Sequence, residues 1–160
     1  MVTIQVLCVG KLKEKHFAAA CAEYEKRLGG FCKLSVTELP EERLPEDPSQ
    51  AQIDAALEKE AGRILAKVPR GGKLTALCVE GQALSSEALA GKLEDWTVGG
   101  ASQLVFVIGG SFGLHPSVKA AAALRLSMSP MTFPHHLARV MVLEQLYRAF
   151  QITKGTKYHK

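Results

Sequence analysis

The run Gln103-Leu-Val-Phe-Val-Ile108 is apolar at consecutive positions, so an extended chain there is apolar on both faces. Such a strand must be covered above and below, which happens in parallel sheets sandwiched between helices. Residues 2–9, 31–38 and 73–79 are further runs of β-branched and apolar residues. A short fifth run, LRLSM, spans 124–128.

Segments with helical spacing lie between these runs. Over 14–28, Phe17, Ala20, Cys21, Tyr24 and Leu28 fall on one face. Three prolines and a cluster of acids mark 39–48 as a loop. Asp47 is then an N-cap with Pro48 at the first helical position, opening a helix through Val68. Ser85 or Ser86 caps a helix that Gly99-Gly100 end. Pro116 starts an alanine-rich helix through about Leu124, and Pro134 starts a long final one. The tail Thr153–Lys160 is polar and is expected to fray. Strand and helix alternate throughout, so the class is α/β with a mainly parallel sheet and helices on both faces. The 160 residues suit one domain, 1–160.

Composition narrows the function classes. No stretch approaches the roughly 20 apolar residues that span a bilayer. The first residues place an apolar run before the lysines, the reverse of a secretory signal, so a cytoplasmic location is expected. Cys8, Cys21, Cys32 and Cys78 form no CxxC pair and complete no zinc spacing, so they read as buried thiols and no metal is expected. The net charge of +4 permits an RNA partner without demanding one. Two basic clusters stand out, Lys11, Lys13, Lys15 and His16 near the start, and Lys154, Lys157, His159 and Lys160 at the end. Such runs are often no more than solvated faces.

In a parallel sheet, ligands bind beyond the C-terminal strand ends, here the loops after Val9, Val79, Ile108 and Met128. The loop Gly109-Gly-Ser-Phe-Gly113 joins a buried strand to a helix, and glycines let a backbone approach a ligand. Its GGxxG spacing is not the dinucleotide pattern, and alone it also suits a tight turn. The segment 126–136 is broken by Pro130 and Pro134, with apolar and hydroxyl residues beside them. An ordinary connector would explain Pro134 but not the apolar content. Its backbone groups suit a purine edge, with Met128, Met131 and Phe133 packing the faces. His135 and His136 are adjacent on a helix and make a poor metal pair. Arg139 and Arg148 are candidates for phosphate. Tyr158 and His159 among lysines suit a nucleobase and its backbone. No GxSxG motif or P-loop occurs.

The stretches VFVIGGSFGLHPSVKAAA and LSMSPMTFPHHLARVMVLEQLYRAFQITKGTKYHK resemble the RlmH family of SPOUT methyltransferases, as do VLCVGKLK and TALCVEGQALSSEALA. The resemblance covers essentially the whole chain. It implies a C-terminal trefoil knot, a rare exception to ordinary topology. It implies S-adenosyl-L-methionine (SAM) as methyl donor, held by Leu77, Gly109, Met128, Ser129, Pro130, Met131, Thr132 and Phe133. It also implies a homodimer and N3-methylation of a pseudouridine in 23S rRNA on assembled ribosomes. Tyr158 and His159 would reach the target base, with His159 as general base and Arg139 or Lys160 as electrostatic helpers at the RNA. The glycine loop departs from the family pattern at Ser111 and Phe112, so the resemblance assigns no contacts to these two side chains. Alternatives are a related SPOUT enzyme acting on tRNA or a ribose 2′-hydroxyl, and a non-enzymatic ribosome-binding factor.

Overall fold

Ten elements alternate strictly between strand and helix: β1 (Thr3–Val9), α1 (Lys15–Leu28), β2 (Lys33–Leu39), α2 (Gln50–Lys67), β3 (Lys73–Ala83), α3 (Ser86–Val98), β4 (Gln103–Ile108), α4 (Pro116–Ala121), β5 (Leu124–Ser127) and α5 (His135–Lys154). The computed structural model describes residues 1–160. The strands form one five-stranded sheet in the order β2-β1-β4-β3-β5, and every pairing is parallel. No helix is long and apolar enough to cross a membrane.

The period-2 geometry of strands divides the interior in two. Ile4, Val6 and Cys8 of β1, with Leu104, Phe106 and Ile108 of β4, join Leu28 of α1, Leu89 of α3 and Leu143 of α5. Leu7, Val9, Val105 and Val107 point the other way and meet Ile64 of α2 and Val118 of α4. Helices therefore cover both faces. Each fully buried Leu, Ile or Phe contributes about 1.5–3 kcal/mol, which explains why β1 and β4 occupy the centre.

Boundaries differ from the sequence reading where a local pattern outweighed another. The α2 cap is Ser49, not Asp47. Its hydroxyl accepts the Gln52 N–H at 3.2 Å and the Gln52 side chain accepts the Ser49 N–H at 2.9 Å. This reciprocal box satisfies two orphan donors, whereas Asp47 followed by a proline offers one cap only. The α4 helix is shorter than expected and ends at Ala121, because Ala122 turns extended and leads into β5. The third strand is longer, reaching Ala83 through an irregularity. Leu77 and Gln82 both pair with Leu126, so Cys78–Gly81 are looped out between them. Gly81 permits this: a Cβ there would lie 2.8 Å from the Arg125 backbone.

The tail does not fray as expected. Gly155 adopts φ 69° and closes α5, and Thr156 N–H returns to Gln151 O at 3.1 Å. The chain then folds back along α5. The Tyr158 hydroxyl donates to Glu144 at 3.2 Å, and the Tyr158 ring lies edge-on to Tyr147 at 5.0 Å.

Candidate functional site

A cavity of about 680 Å³ opens at the C-terminal ends of β3, β4 and β5. That is the ligand-binding end of a parallel sheet, and the size suits a small-molecule ligand. Three walls form it: the looped-out residues of β3, the glycine loop after β4, and the segment from Met128 into the first turn of α5. Leu77, Gly109, Met128, Ser129, Met131, Thr132 and Phe133 all line it, whereas Pro130 does not. Three chain segments far apart in sequence thus converge on the residues singled out as cofactor contacts.

The glycine loop is closed on itself by a Gly110–Gly113 bridge, with Gly113 at φ 80°. A Cβ at Gly109 would lie 2.5 Å from Gly113 O, so only glycine fits. Above this loop sits Glu41, from the proline- and acid-rich loop 39–48. Its Oε1 accepts the Ser111 N–H at 3.1 Å. The same carboxylate lies against Gly10, where a Cβ would be 3.2 Å from Oε2. Arg63 anchors the acidic loop, donating to Pro40 O at 3.0 Å and pairing with Glu42 at 3.2 Å. Buried Glu60 accepts the Glu42 N–H at 2.8 Å.

Segment 128–133 is folded by its own hydroxyls. Ser127 Oγ donates to Ser129 O at 3.1 Å, and the Met131 N–H donates to Ser129 Oγ at 3.0 Å. The main-chain N–H groups of Ser129, Thr132 and Phe133 have no protein acceptor. Backbone donors at a cavity wall must find water or a ligand.

The charges nearby are mostly satisfied. Lys119 pairs with Glu80 at the cavity edge and holds that carboxyl below its ordinary value through the hydrogen bond. His135 lines the cavity, and burial followed by the neighbouring His136 holds it below its ordinary value, so it is neutral at pH 7. His136 turns to Glu14 at 3.1 Å. Cys8, Cys21 and Cys32 are buried as expected, and burial pushes the Cys8 thiol up to about 12. Cys78 departs from that reading, being half-buried in the cavity wall.

Three residues expected at the RNA, Arg139, Tyr158 and His159, are held by partners within the chain and do not line the cavity. Arg139 is 4 % exposed, bound to Glu38 at 2.8 Å and to Gly10 O at 3.4 Å. Its charge is committed to these two partners inside the fold. His159 lies on α3 and α5: Arg148 approaches Nδ1 at 3.1 Å and Glu87 approaches Nε2 at 2.5 Å. Arg148 also binds Glu144 and stacks 4.8 Å over Tyr158. Neither Tyr158 nor His159 lines the cavity of its own chain, and Lys160 is exposed.

A family model described as "Predicted SPOUT methyltransferase" matches residues 2–159. The chain belongs to the SPOUT methyltransferase family. Among solved structures it is similar to a probable methylase family protein from Haemophilus influenzae, with 13% identity and a TM-score of 0.53 over 98% of this chain and 70% of that one. It is also similar to the SpoU methyltransferase AviRb from Streptomyces viridochromogenes, solved with AdoMet, with 14% identity and a TM-score of 0.48 over 96% of this chain and 58% of that one.

As a SPOUT methyltransferase, the chain presents a cavity built to hold and orient. Its walls are mostly backbone and apolar side chains, with the His135 imidazole, the Cys78 thiol and the paired Lys119 and Glu80. The one thiol, Cys78, is pushed up by burial and then by Glu80, so it is no ready nucleophile. Glu41 is the functional-site residue missed from the sequence. Its neighbour Ser111 is 70 positions away. The only local hint was the proline-acid density of a loop that had to fold against something.

Proposed function

We propose that this SPOUT methyltransferase uses SAM to methylate N3 of a pseudouridine in 23S rRNA on assembled ribosomes, working in the cytoplasm as a homodimer with a knotted C-terminal region. The single observation that carries the SAM reading is the cavity wall at 128–133, where free main-chain N–H groups lie beside Met128 and Phe133. Such donors suit the edge of an adenine, and the apolar side chains suit its faces. The closed glycine loop lets backbone approach the rest of the molecule.

SAM supplies an electrophilic methyl, so the protein's part is position and proton handling. N3 of pseudouridine must lose its proton before or during transfer. In the docked tail, Arg148 occupies Nδ1 of His159 and Glu87 occupies Nε2. Arg148 donates to Nδ1, so the ring can accept a proton there only after the Arg148 contact opens. The tail joins α5 at Glu144, nine residues and about 13 Å along the helix from His135. This supports a dimer in which the tail of one copy serves the cavity of the other.

Mass spectrometry of 23S rRNA from a strain lacking the protein tests the product: loss of one methylated pseudouridine is expected. A reverse-transcription stop in the wild type then separates N3 methylation from ribose methylation. SAM binding by calorimetry separates an enzyme from a pure ribosome-binding factor. His159→Ala is expected to lower the single-turnover rate by roughly 10²–10⁴ with SAM affinity kept. A wild-type rate would remove His159 from the base role.

Glu41 gives a separate prediction. Glu41→Ala removes the acceptor for Ser111 N–H and is expected to weaken SAM binding by about tenfold, near 1.4 kcal/mol. Glu41→Gln retains an acceptor oxygen and should restore most of that affinity. Equal affinities for all three proteins would mean the contact does not shape the glycine loop.

A further inference from the structure

The loop between β1 and α1 carries Lys11 and Lys13, and Lys15 and His16 open α1. All four side chains are exposed, and none has a carboxylate within 4.0 Å. The acids nearby are turned to other partners. Glu14 faces His136, Glu38 holds Arg139 and the Leu12 N–H, and Glu41 accepts from Ser111. The fold itself does not ask for these three lysines. Basic residues in the first turn of a helix oppose its macrodipole, and α1 has neither an acid in its first turn nor a side-chain cap.

Their place is specific. The loop starts at Gly10, at the same sheet end as the cavity. The Glu41 carboxylate touches both Gly10 and the glycine loop. Glu14 binds His136, the neighbour of cavity-lining His135. Phe112 and Met131, both exposed, complete the cavity mouth. The exposed lysines Lys11, Lys13 and Lys15 therefore lie in a loop tied to the cavity through Gly10 and Glu14. Basic residues beside exposed apolar surface match a nucleic-acid strand, with phosphates on the cations and bases on the apolar face.

We propose that the segment Lys11–His16 is the phosphate-gripping rim of the methyl-transfer site, holding the RNA backbone next to the target base. The proposal rests on the rRNA reading above and adds a surface to it. The test uses the full chain and three proteins: wild type, the triple variant Lys11→Gln/Lys13→Gln/Lys15→Gln, and a control, Lys67→Gln/Arg70→Gln, at the opposite end of the sheet. Affinity for bacterial 70S ribosomes is measured by co-sedimentation between 50 and 200 mM salt, a range chosen at about the scale over which phosphate contacts show. SAM affinity is measured by calorimetry in parallel.

The triple variant is expected to bind SAM as wild type does. It should bind ribosomes roughly tenfold more weakly at 100 mM salt, with a log–log salt slope shallower by about 2. The control should match wild type. Unchanged affinity and slope in the triple variant overturn the rim. A loss with unchanged slope also overturns it, because the lost contact then releases no phosphate counterions. An equal loss in the control shows general charge and not this loop. If wild type itself fails to bind ribosomes, the rRNA reading falls, and the rim with it.

Discussion

Replacing Gly109 by alanine is expected to weaken SAM binding at least a hundredfold, about 2.7 kcal/mol. The added Cβ would sit 2.5 Å from the carbonyl oxygen and 2.7 Å from the carbonyl carbon of Gly113. Both are backbone atoms, so no rotamer change relieves the clash. The loop must open, and opening breaks the Gly113 N–H to Gly110 O bond of 3.1 Å. It also drags Ser111 from Glu41. Gly113→Ala is the informative comparison. A Cβ there meets nothing within 4 Å, but φ is 80°. That substitution should cost roughly 1–2 kcal/mol of backbone strain, seen mainly as a lower Tm, with SAM affinity changed less than tenfold. Calorimetry with SAM and thermal melts of the two variants separate a steric cost at the site from a conformational cost in the fold. Wild-type SAM affinity in Gly109→Ala would show that this loop does not form the cofactor wall.

The contrast between these two glycines also shows what sequence can reveal. GGxxG marked the loop because glycine spacing is local, but not which glycine is sterically required. The parallel sheet was readable from the two-faced apolar run of β4 and the helical spacing between strands. The cavity was readable as a place, since strand ends and a proline-broken apolar segment are both local signals. Long-range polar partners were not. Glu41, Arg139 and Tyr158 each meet a partner that periodicity cannot name. Glu38 and Arg139 are 101 positions apart, and an arginine in an amphipathic helix ordinarily reads as exposed. The tail read as frayed because TKGTKYHK has no periodic apolar face. Its order comes from Tyr158 meeting Glu144 and Tyr147 and from His159 meeting Arg148 and Glu87 after the Gly155 turn.

Arg139→Leu is expected to lower the Tm by roughly 4–8 °C, equivalent to about 2 kcal/mol for a chain of this size. Arg139 ties the second turn of α5 to the ends of β1 and β2. Breaking a fully buried ion pair costs about 3–5 kcal/mol. The smaller figure follows because the Glu38 side chain is 39% exposed and water can solvate it once the guanidinium is gone. Arg139→Lys should fall between, since an ammonium keeps the charge but cannot reach Glu38 and Gly10 O together as the fork does. The pH dependence is fixed in sign. Burial pushes the Glu38 carboxyl up, but the bonds from Arg139 and the Leu12 N–H outweigh it and hold the group below its ordinary 4.5. A carboxyl with a lowered folded value contributes its full stability above 4.5 and loses it as pH falls through that lower value. The stability gap between wild type and Arg139→Leu should therefore be widest near neutrality and shrink in acid. Urea unfolding at pH 7 and pH 3.5 measures it. A gap that stays constant, or widens in acid, would show that Arg139 stabilises α5 through packing of its stem and not through its charge on Glu38.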